Sequence, residues 1–167
     1  MFINDTITTL LNYRISEEEK SSRLYKAMAI KLELAGLAGA AKLWYKYSDE
    51  EATHAKWAYD YLLSLNVQPE IPELPTPEYD YQGLEKVIID SLAHEEKITE
   101  QCNGLTKASF DNNDFMTYEL GLKYITEQRE ELEKLLYWKD QIELYGENGK
   151  FCPSVLKMID NEMGSKA

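Results

Sequence analysis

Glu50-Glu51-Ala52-Thr53-His54 lies in the middle of a long helical pattern. Glu51 and His54 are three positions apart, just under one helical turn, so both side chains reach toward one point. A carboxylate and an imidazole held that way make half of a transition-metal site. A single Glu-x-x-His is more often an exposed acid beside an exposed imidazole. The neighbouring positions argue otherwise here. The stripe through this stretch reads Ala40, Trp44, Tyr47, Glu51, His54, Ala58, Tyr61, Leu65. Its alternating three-four spacing is the seam of a packed helix, predicted over about residues 38–65, and the polar residues fall inside the seam.

Working outward, the first helix is predicted over about 5–35, capped by Asn4 or Asp5 and ended by Gly36 and Gly39. Its stripe is Ile7, Leu11, Arg14, Glu18, Ser21, Tyr25, Met28, Leu32. A third helix over about 83–109 carries Leu84, Ile88, Ser91, Glu95, Ile98, Cys102 and Leu105. A fourth over about 113–145 carries Tyr124, Gln128, Glu131, Leu135, Trp138 and Ile142. A short fifth is predicted over about 153–163, with Val155, Leu156, Met158 and Ile159 on its apolar side. Between the second and third helices, residues 66–82 hold Pro69, Pro72, Pro75 and Pro77 with no helical period. A connection this long needs a structural reason. A crossover running the length of a bundle supplies one, because it lets the second and third helices lie parallel. The expected architecture is all-α: one domain over residues 1–167, a four-helix bundle with a long crossover between helices 2 and 3 and a short fifth C-terminal helix.

Composition narrows the partners. The 167 residues are 44% hydrophobic and 29% charged, as in an ordinary soluble domain. Eighteen basic against 30 acidic residues give a net charge of −12, which argues against nucleic acid and anionic membrane as partners. No apolar run is long enough to span a membrane, and the start shows no basic region followed by an apolar one. Cys102 and Cys152 are far apart and form no CxxC, so a reducing cytoplasm is the expected location.

Each of the four long helices carries one seam glutamate near its middle: Glu18, Glu51, Glu95 and Glu131. Mid-helix positions of an antiparallel bundle share one layer, so four carboxylates and the His54 imidazole meet in the core. Two like charges about 4 Å apart repel by roughly 1 kcal/mol in water and roughly 4 kcal/mol at an effective dielectric near 20. Arg14, one turn from Glu18, is the only seam cation and offsets one carboxylate, not four. A pair of divalent cations balances all four. Carboxylates with one imidazole suit iron, manganese or zinc better than copper or nickel. Di-iron bundles usually offer Glu-x-x-His on two helices. Here the fourth helix has Glu127-x-x-Glu130 and Glu131 instead, so the site is asymmetric. His94 adjoins Glu95 but points about 100° away, which suggests a surface or interface role.

These residues resemble those of a non-haem bacterial ferritin, over nearly the whole chain. Leu11-Asn12 with Glu18 and Tyr25 is similar to that family's first helix. Gly39-Ala40-Ala41 through Asp49-Glu50-Glu51-Ala52-Thr53-His54 is similar to the second, and His94-Glu95-Glu96-Lys97-Ile98-Thr99 to the third. Tyr124-Ile125-Thr126-Glu127-Gln128-Arg129-Glu130-Glu131 is similar to the fourth. The resemblance implies a ferritin-like fold and iron as the metal. It implies Glu18, Glu51 and His54 on a first iron, and Glu51 bridging to a second held by Glu95 and Glu131. It further implies Glu50, Glu127 and Glu130 around a third iron, Gln128 beside the ligands, and Tyr25 as a nearby electron donor; spacing leaves those three glutamates equally readable as surface acids. No haem is implied, since the fourth helix lacks a second histidine.

The activity implied is oxidation of Fe(II) by dioxygen or peroxide, with ferric mineral stored in a shell of 24 subunits whose four-fold axes are lined by the fifth helix. The alternative is a non-storing di-iron oxidase or oxygen-scavenging enzyme. The chain departs from the family at Lys123, where many members carry a tryptophan just before the tyrosine of the fourth helix. Trp138 lies two turns past Glu131, too far to stand in for it.

Overall fold

The computed structural model describes residues 3–167; Met1 and Phe2, counted in the expected domain, lie outside the described residues. Five helices follow in order: α1 Asp5–Leu34, α2 Ala38–Ser64, α3 Leu84–Asp111, α4 Phe115–Tyr145 and α5 Pro153–Lys166. The limits of α1 to α4 fall within two residues of those expected from the sequence, and α5 runs three residues further, to Lys166. Asn4 caps α1, its side chain accepting from the Ile7 amide at 2.9 Å. Asp114 caps α4 in the same way, from the Thr117 amide at 3.0 Å.

Gly36 ends α1 with φ +82°, a conformation that strains any residue with a Cβ. The Leu37 amide then bonds back to the Leu32 carbonyl at 3.0 Å, which closes the helix end and reverses the chain in three residues. α1 and α2 are therefore antiparallel neighbours. The proline-rich stretch after α2 is extended and lies along α1. The Glu70 amide bonds Asn12 Oδ1 at 3.1 Å, and Arg23 holds the Leu74 and Pro75 carbonyls at 3.2 and 3.4 Å. Asn12 to Arg23 is about 16 Å of helix at 1.5 Å per residue. The crossover thus returns the chain along the bundle before α3 begins, and α2 and α3 run parallel.

The seam buries two apolar clusters with a polar layer between them. One holds Ile7, Leu11, Ala58, Leu62, Ile98 and Leu105. The other holds Met28, Leu32, Trp44, Ile88, Leu135 and Trp138, with Ile159 and Met163 of α5 packed onto it. Burying such a side chain contributes about 1.5–3 kcal/mol. α5 docks through Gly39, where a Cβ would stand 1.9 Å from the Asp160 carbonyl oxygen. Asp160, itself buried, accepts from the Ala40 amide at 2.9 Å. It caps α2 from the far end of the chain, where the helix's own cap residue, Leu37, offers no side-chain bond.

Candidate metal centre

Glu18, Glu51, Glu95 and Glu131 all lie between the two apolar clusters, each at most 6% exposed, with His54 at 4%. Each sits on the seam, so the periodicity that buries leucines elsewhere buries carboxylates here. His54 Nδ1 is 3.4 Å from Glu51 Oε2, 3.4 Å from Glu131 Oε1 and 4.0 Å from Glu18 Oε2. His54 Nε2 faces Glu127 Oε1 at 3.7 Å. Two trios have ligand atoms mutually within 4.8 Å and share Glu51: Glu18, Glu51 and His54, and Glu51, Glu95 and Glu131. A third, His54 with Glu127 and Glu131, overlaps both.

Without cations this layer is electrostatically crowded. Burial, with Glu131, Glu95 and Glu18 close by, raises the Glu51 carboxyl well above the usual carboxylate range. Burial and the Glu95 charge push Glu131 up to about 10, and burial pushes Glu95 up to about 7. Desolvation lowers the His54 imidazole, which favours the neutral form that binds metals. Both oxygens of Glu18, Glu51 Oε2 and Glu131 Oε2 are buried without a hydrogen-bond partner. An orphaned buried carboxylate oxygen costs several kcal/mol. Four around one imidazole fit divalent cations as the missing partners, and the donor set suits iron, manganese or zinc.

Arg14, 1% exposed, brings its Nε to 2.7 Å from Glu18 Oε1. The contact is an ion pair by distance rather than an aligned hydrogen bond, since neither atom finds one. Burial alone would lower the guanidinium pKa; the charge of Glu18 and its neighbours outweighs it. The sequence's single seam cation does face one carboxylate only.

The surrounding polar groups concentrate on Glu95. Tyr25 donates its hydroxyl to Glu95 Oε1. Gln128 Nε2 bonds Glu95 Oε2 at 2.9 Å and Thr99 Oγ1 at 3.3 Å. Tyr124 donates to the His54 carbonyl at 2.7 Å and fixes that turn of α2. Burial and the Glu95 charge raise the Tyr25 phenol. Glu50, Glu127 and Glu130 are not brought into one group. Glu50 Oε2 faces Lys134 Nζ at 3.3 Å, Glu127 faces His54, and Glu130 is exposed.

His94, expected at a surface or an interface, is half-buried: its Nε2 lies 2.7 Å from Ser21 Oγ, and its ring centre is 5.8 Å from that of Tyr25. Ser21 is small enough to admit the ring between α1 and α3. Two neighbours escaped notice in the sequence. Trp57, three residues past His54 on the same face, packs its ring at a tilt against the imidazole, 4.7 Å between centres, and against Tyr124 at 5.4 Å. Lys123 covers that indole at 3.6 Å, so the tryptophan beside the site comes from α2 and not from the position before Tyr124. Lys134, one turn past Glu131, was legible by the same spacing.

Known proteins share this arrangement of helices. The ferritin family, described as a ferritin-like domain, matches residues 8–144. A bacterial non-heme ferritin of Escherichia coli O6:H1 is 30% identical over 155 residues, 93% of this chain and 92% of that protein. A probable bacterial non-heme ferritin-like protein of Haemophilus influenzae is 28% identical over 98% of this chain and 96% of its own. Among solved structures, an open pore ferritin from the hyperthermophilic archaeon Archaeoglobus fulgidus superposes with a TM-score of 0.92. It covers 98% of this chain and 97% of its own at 24% identity, which speaks for the fold.

Proposed function

The chain belongs to the ferritin family, and on that premise we propose that it is an iron-storage ferritin that oxidises Fe²⁺ at a paired-ion centre inside each subunit. The observation that carries this reading is the set of orphaned oxygens on Glu18, Glu51 and Glu131 around a buried imidazole. Fe²⁺ is the substrate. Glu18 and His54 hold one ion, Glu95 and Glu131 the other, and Glu51, common to both trios, bridges them. A bridging carboxylate fixes the distance and angle at which an acceptor meets both ions. Hard oxygen donors favour Fe³⁺ over Fe²⁺, so each ion gives up one electron readily to dioxygen or peroxide.

The chain's remaining groups prepare this step. Gln128 and Tyr25 each hold one oxygen of Glu95, which sets the carboxylate's orientation before iron arrives. Tyr25, hydrogen-bonded to Glu95, is placed to supply a further electron to the same dioxygen or peroxide, its phenol proton being released toward Glu95 Oε1. Arg14 keeps one countercharge at Glu18. A third ion at Glu50, Glu127 and Glu130 requires Glu50 to leave Lys134.

Storage needs a hollow, which one bundle lacks; we place the mineral in a cage of 24 copies, a closed symmetric assembly of the kind the family implies. No described helix is long and apolar enough to cross a membrane, and Cys102 and Cys152 are both free; we place the protein in the cytoplasm. The test is aerobic addition of excess Fe²⁺ to metal-free protein, with particle mass and ferric absorbance followed together. Uptake far beyond the ions that saturate the centre, in a particle of cage mass, is the expected result. Oxidation that stops at saturation contradicts storage and favours a non-storing oxidase.

A further inference from the structure

The two halves of the polar layer are charged unequally. Glu51 belongs to both trios; Glu18 and His54 complete one, Glu95 and Glu131 the other. Arg14 stands on the first half. It is 1% exposed and brings its Nε to 2.7 Å from Glu18 Oε1. An ion in the first half therefore meets two carboxylates and one guanidinium, and an ion in the second meets three carboxylates. The field of Arg14 also reaches Glu95, without contact. Lys134, the cation beside Glu131, is part-exposed and paired with Glu50 at 3.3 Å, outside both of these trios.

Arg14 is held where it is from three helices. Its Nη1 donates to Gln101 Oε1 of α3 at 3.0 Å, and Gln101 Nε2 in turn donates to the Tyr13 hydroxyl at 3.0 Å and to Glu17 Oε2 at 2.9 Å. Its guanidinium carbon lies 5.9 Å from the centre of the Tyr124 ring of α4. Nor is its charge spent on another acid: Glu17 is paired with Lys20 at 2.6 Å. Nε and Nη2 of Arg14 and both oxygens of Glu18 are buried without a hydrogen-bond partner. The two side chains thus meet by charge without saturating each other. Glu18 keeps lone pairs for an ion, and the guanidinium stays beside it. Glu95 is held instead by neutral groups, the Tyr25 hydroxyl and the Gln128 amide, which orient the carboxylate and leave its charge in place.

We propose that Arg14 sets the order of filling: the Glu51–Glu95–Glu131 position takes its ion first, and the Glu18–His54 position fills second and holds its ion more weakly, because a fixed guanidinium shares the Glu18 carboxylate. The inference rests on the metal centre proposed above and adds an inequality between its halves. Arg14 acts through Glu18 and is a positioning residue. Its charge opposes a divalent ion twice as strongly as a single one, and burial limits the screening of that repulsion. The His54 position is then the exchanging one and the Glu95–Glu131 position the resident one.

The test titrates metal-free protein with Co²⁺ by calorimetry, in the native protein, Arg14→Gln, Arg14→Lys and Glu51→Ala. X-ray absorption at the cobalt edge shows whether an imidazole is bound. That signal reports His54, since the chain's other histidine, His94, faces Ser21 at 2.7 Å. The native protein is expected to bind in two steps, with no imidazole on cobalt at one ion per subunit and imidazole appearing with the second ion. Arg14→Gln removes the charge and keeps a partner for Gln101. It is expected to strengthen the weaker step by roughly tenfold or more, the weight of a unit charge a few ångströms from a divalent ion, and to bring imidazole onto the first cobalt. Arg14→Lys keeps the charge and is expected to restore the native order. Imidazole on the first cobalt in the native protein overturns the proposal without any variant. An unchanged weaker step in Arg14→Gln also overturns it, as do two steps that strengthen alike, since the charge then acts on the whole layer. Native protein that binds no more Co²⁺ than Glu51→Ala sinks the metal centre itself; intact binding in the wrong order sinks the role of Arg14 alone.

Discussion

The polar middle of this bundle and the apolar ends that flank it obey the same helical period and reach the same burial. The ends fill the seam with Ile7, Leu11 and Leu62 on one side and Leu32, Trp44 and Ile88 on the other, all essentially inaccessible. The middle fills it with Glu18, Glu51, His54, Glu95 and Glu131. Burial stabilises the first set and penalises the second. The ends therefore hold the middle in place against its own repulsion, and that repulsion is what the proposed cations would relieve. Rigid packing on both sides also keeps the ligand geometry fixed before the ions arrive.

Truncation at the ends gives the largest effect expected from this contrast. Ile88→Ala, at a fully buried position, is expected to lower the stability of metal-free protein by about 2–5 kcal/mol in urea unfolding. The same change leaves Fe²⁺ oxidation by the folded fraction near native. Oxidation lost in proportion to stability would dissolve the distinction between the two regions.

In the middle the sign reverses. Glu51→Gln keeps the shape and removes a carboxyl that must either bury a charge or hold a proton above its usual range, so metal-free protein at pH 9 is expected to gain on the order of 1 kcal/mol. Oxidation falls to the uncatalysed background. A large loss of stability in this variant would show that Glu51 is held by protein partners and not left for metal.

The pH dependence follows from the same crowding. Glu95 and Glu131 titrate at about 7 and about 10 in the folded chain, against 4.5 for an unperturbed carboxyl. The folded state keeps protons that the unfolded state gives up, so this stabilising term is complete below pH 4.5 and is lost as pH rises through 7 toward 10. The melting temperature of metal-free protein is expected to fall across that window, by roughly 2–4 °C per kcal/mol for a chain of this size. Saturation with a divalent ion flattens the slope. A melting temperature that climbs from pH 5 to 9 without metal contradicts the assignment.

The smallest effect belongs to the outer end of α1. Asn4→Ala removes the bond to the Ile7 amide and is expected to cost about 1 kcal/mol, with no change in oxidation. A change in the rate of oxidation would mean that the ends and the middle are coupled more closely than their packing suggests.

The helices and the carboxylate layer were legible in the sequence because both follow from period. Ile7, Leu11, Glu18, Tyr25 and Leu32 fall on one stripe whatever their chemistry, and a mid-helix glutamate on each of four stripes has one common destination. The crossover was legible because four prolines forbid a helix there. What period does not carry is how far a side chain reaches across to another helix. The meeting of Lys134 with Glu50 depends on the relative height of α2 and α4, and the seating of Lys123 on Trp57 does too. The contact of His94 with Ser21 was hidden for a related reason: the gap that Ser21 opens on α1 lies outside any single-helix pattern. The position of Glu50, neighbour to a buried ligand yet turned to an ammonium, likewise needed both helices in view.

One measurement bears most directly on the claim that the middle layer is a paired-ion centre. Metal-free protein is titrated aerobically with Fe²⁺ and the ferric absorbance is followed, beside Glu51→Ala. The expected result is fast oxidation that breaks at about two ions per subunit, as a paired carboxylate site requires, and that is absent in the variant. Oxidation in the native protein no faster than in Glu51→Ala would contradict the account and leave four buried glutamates without a function.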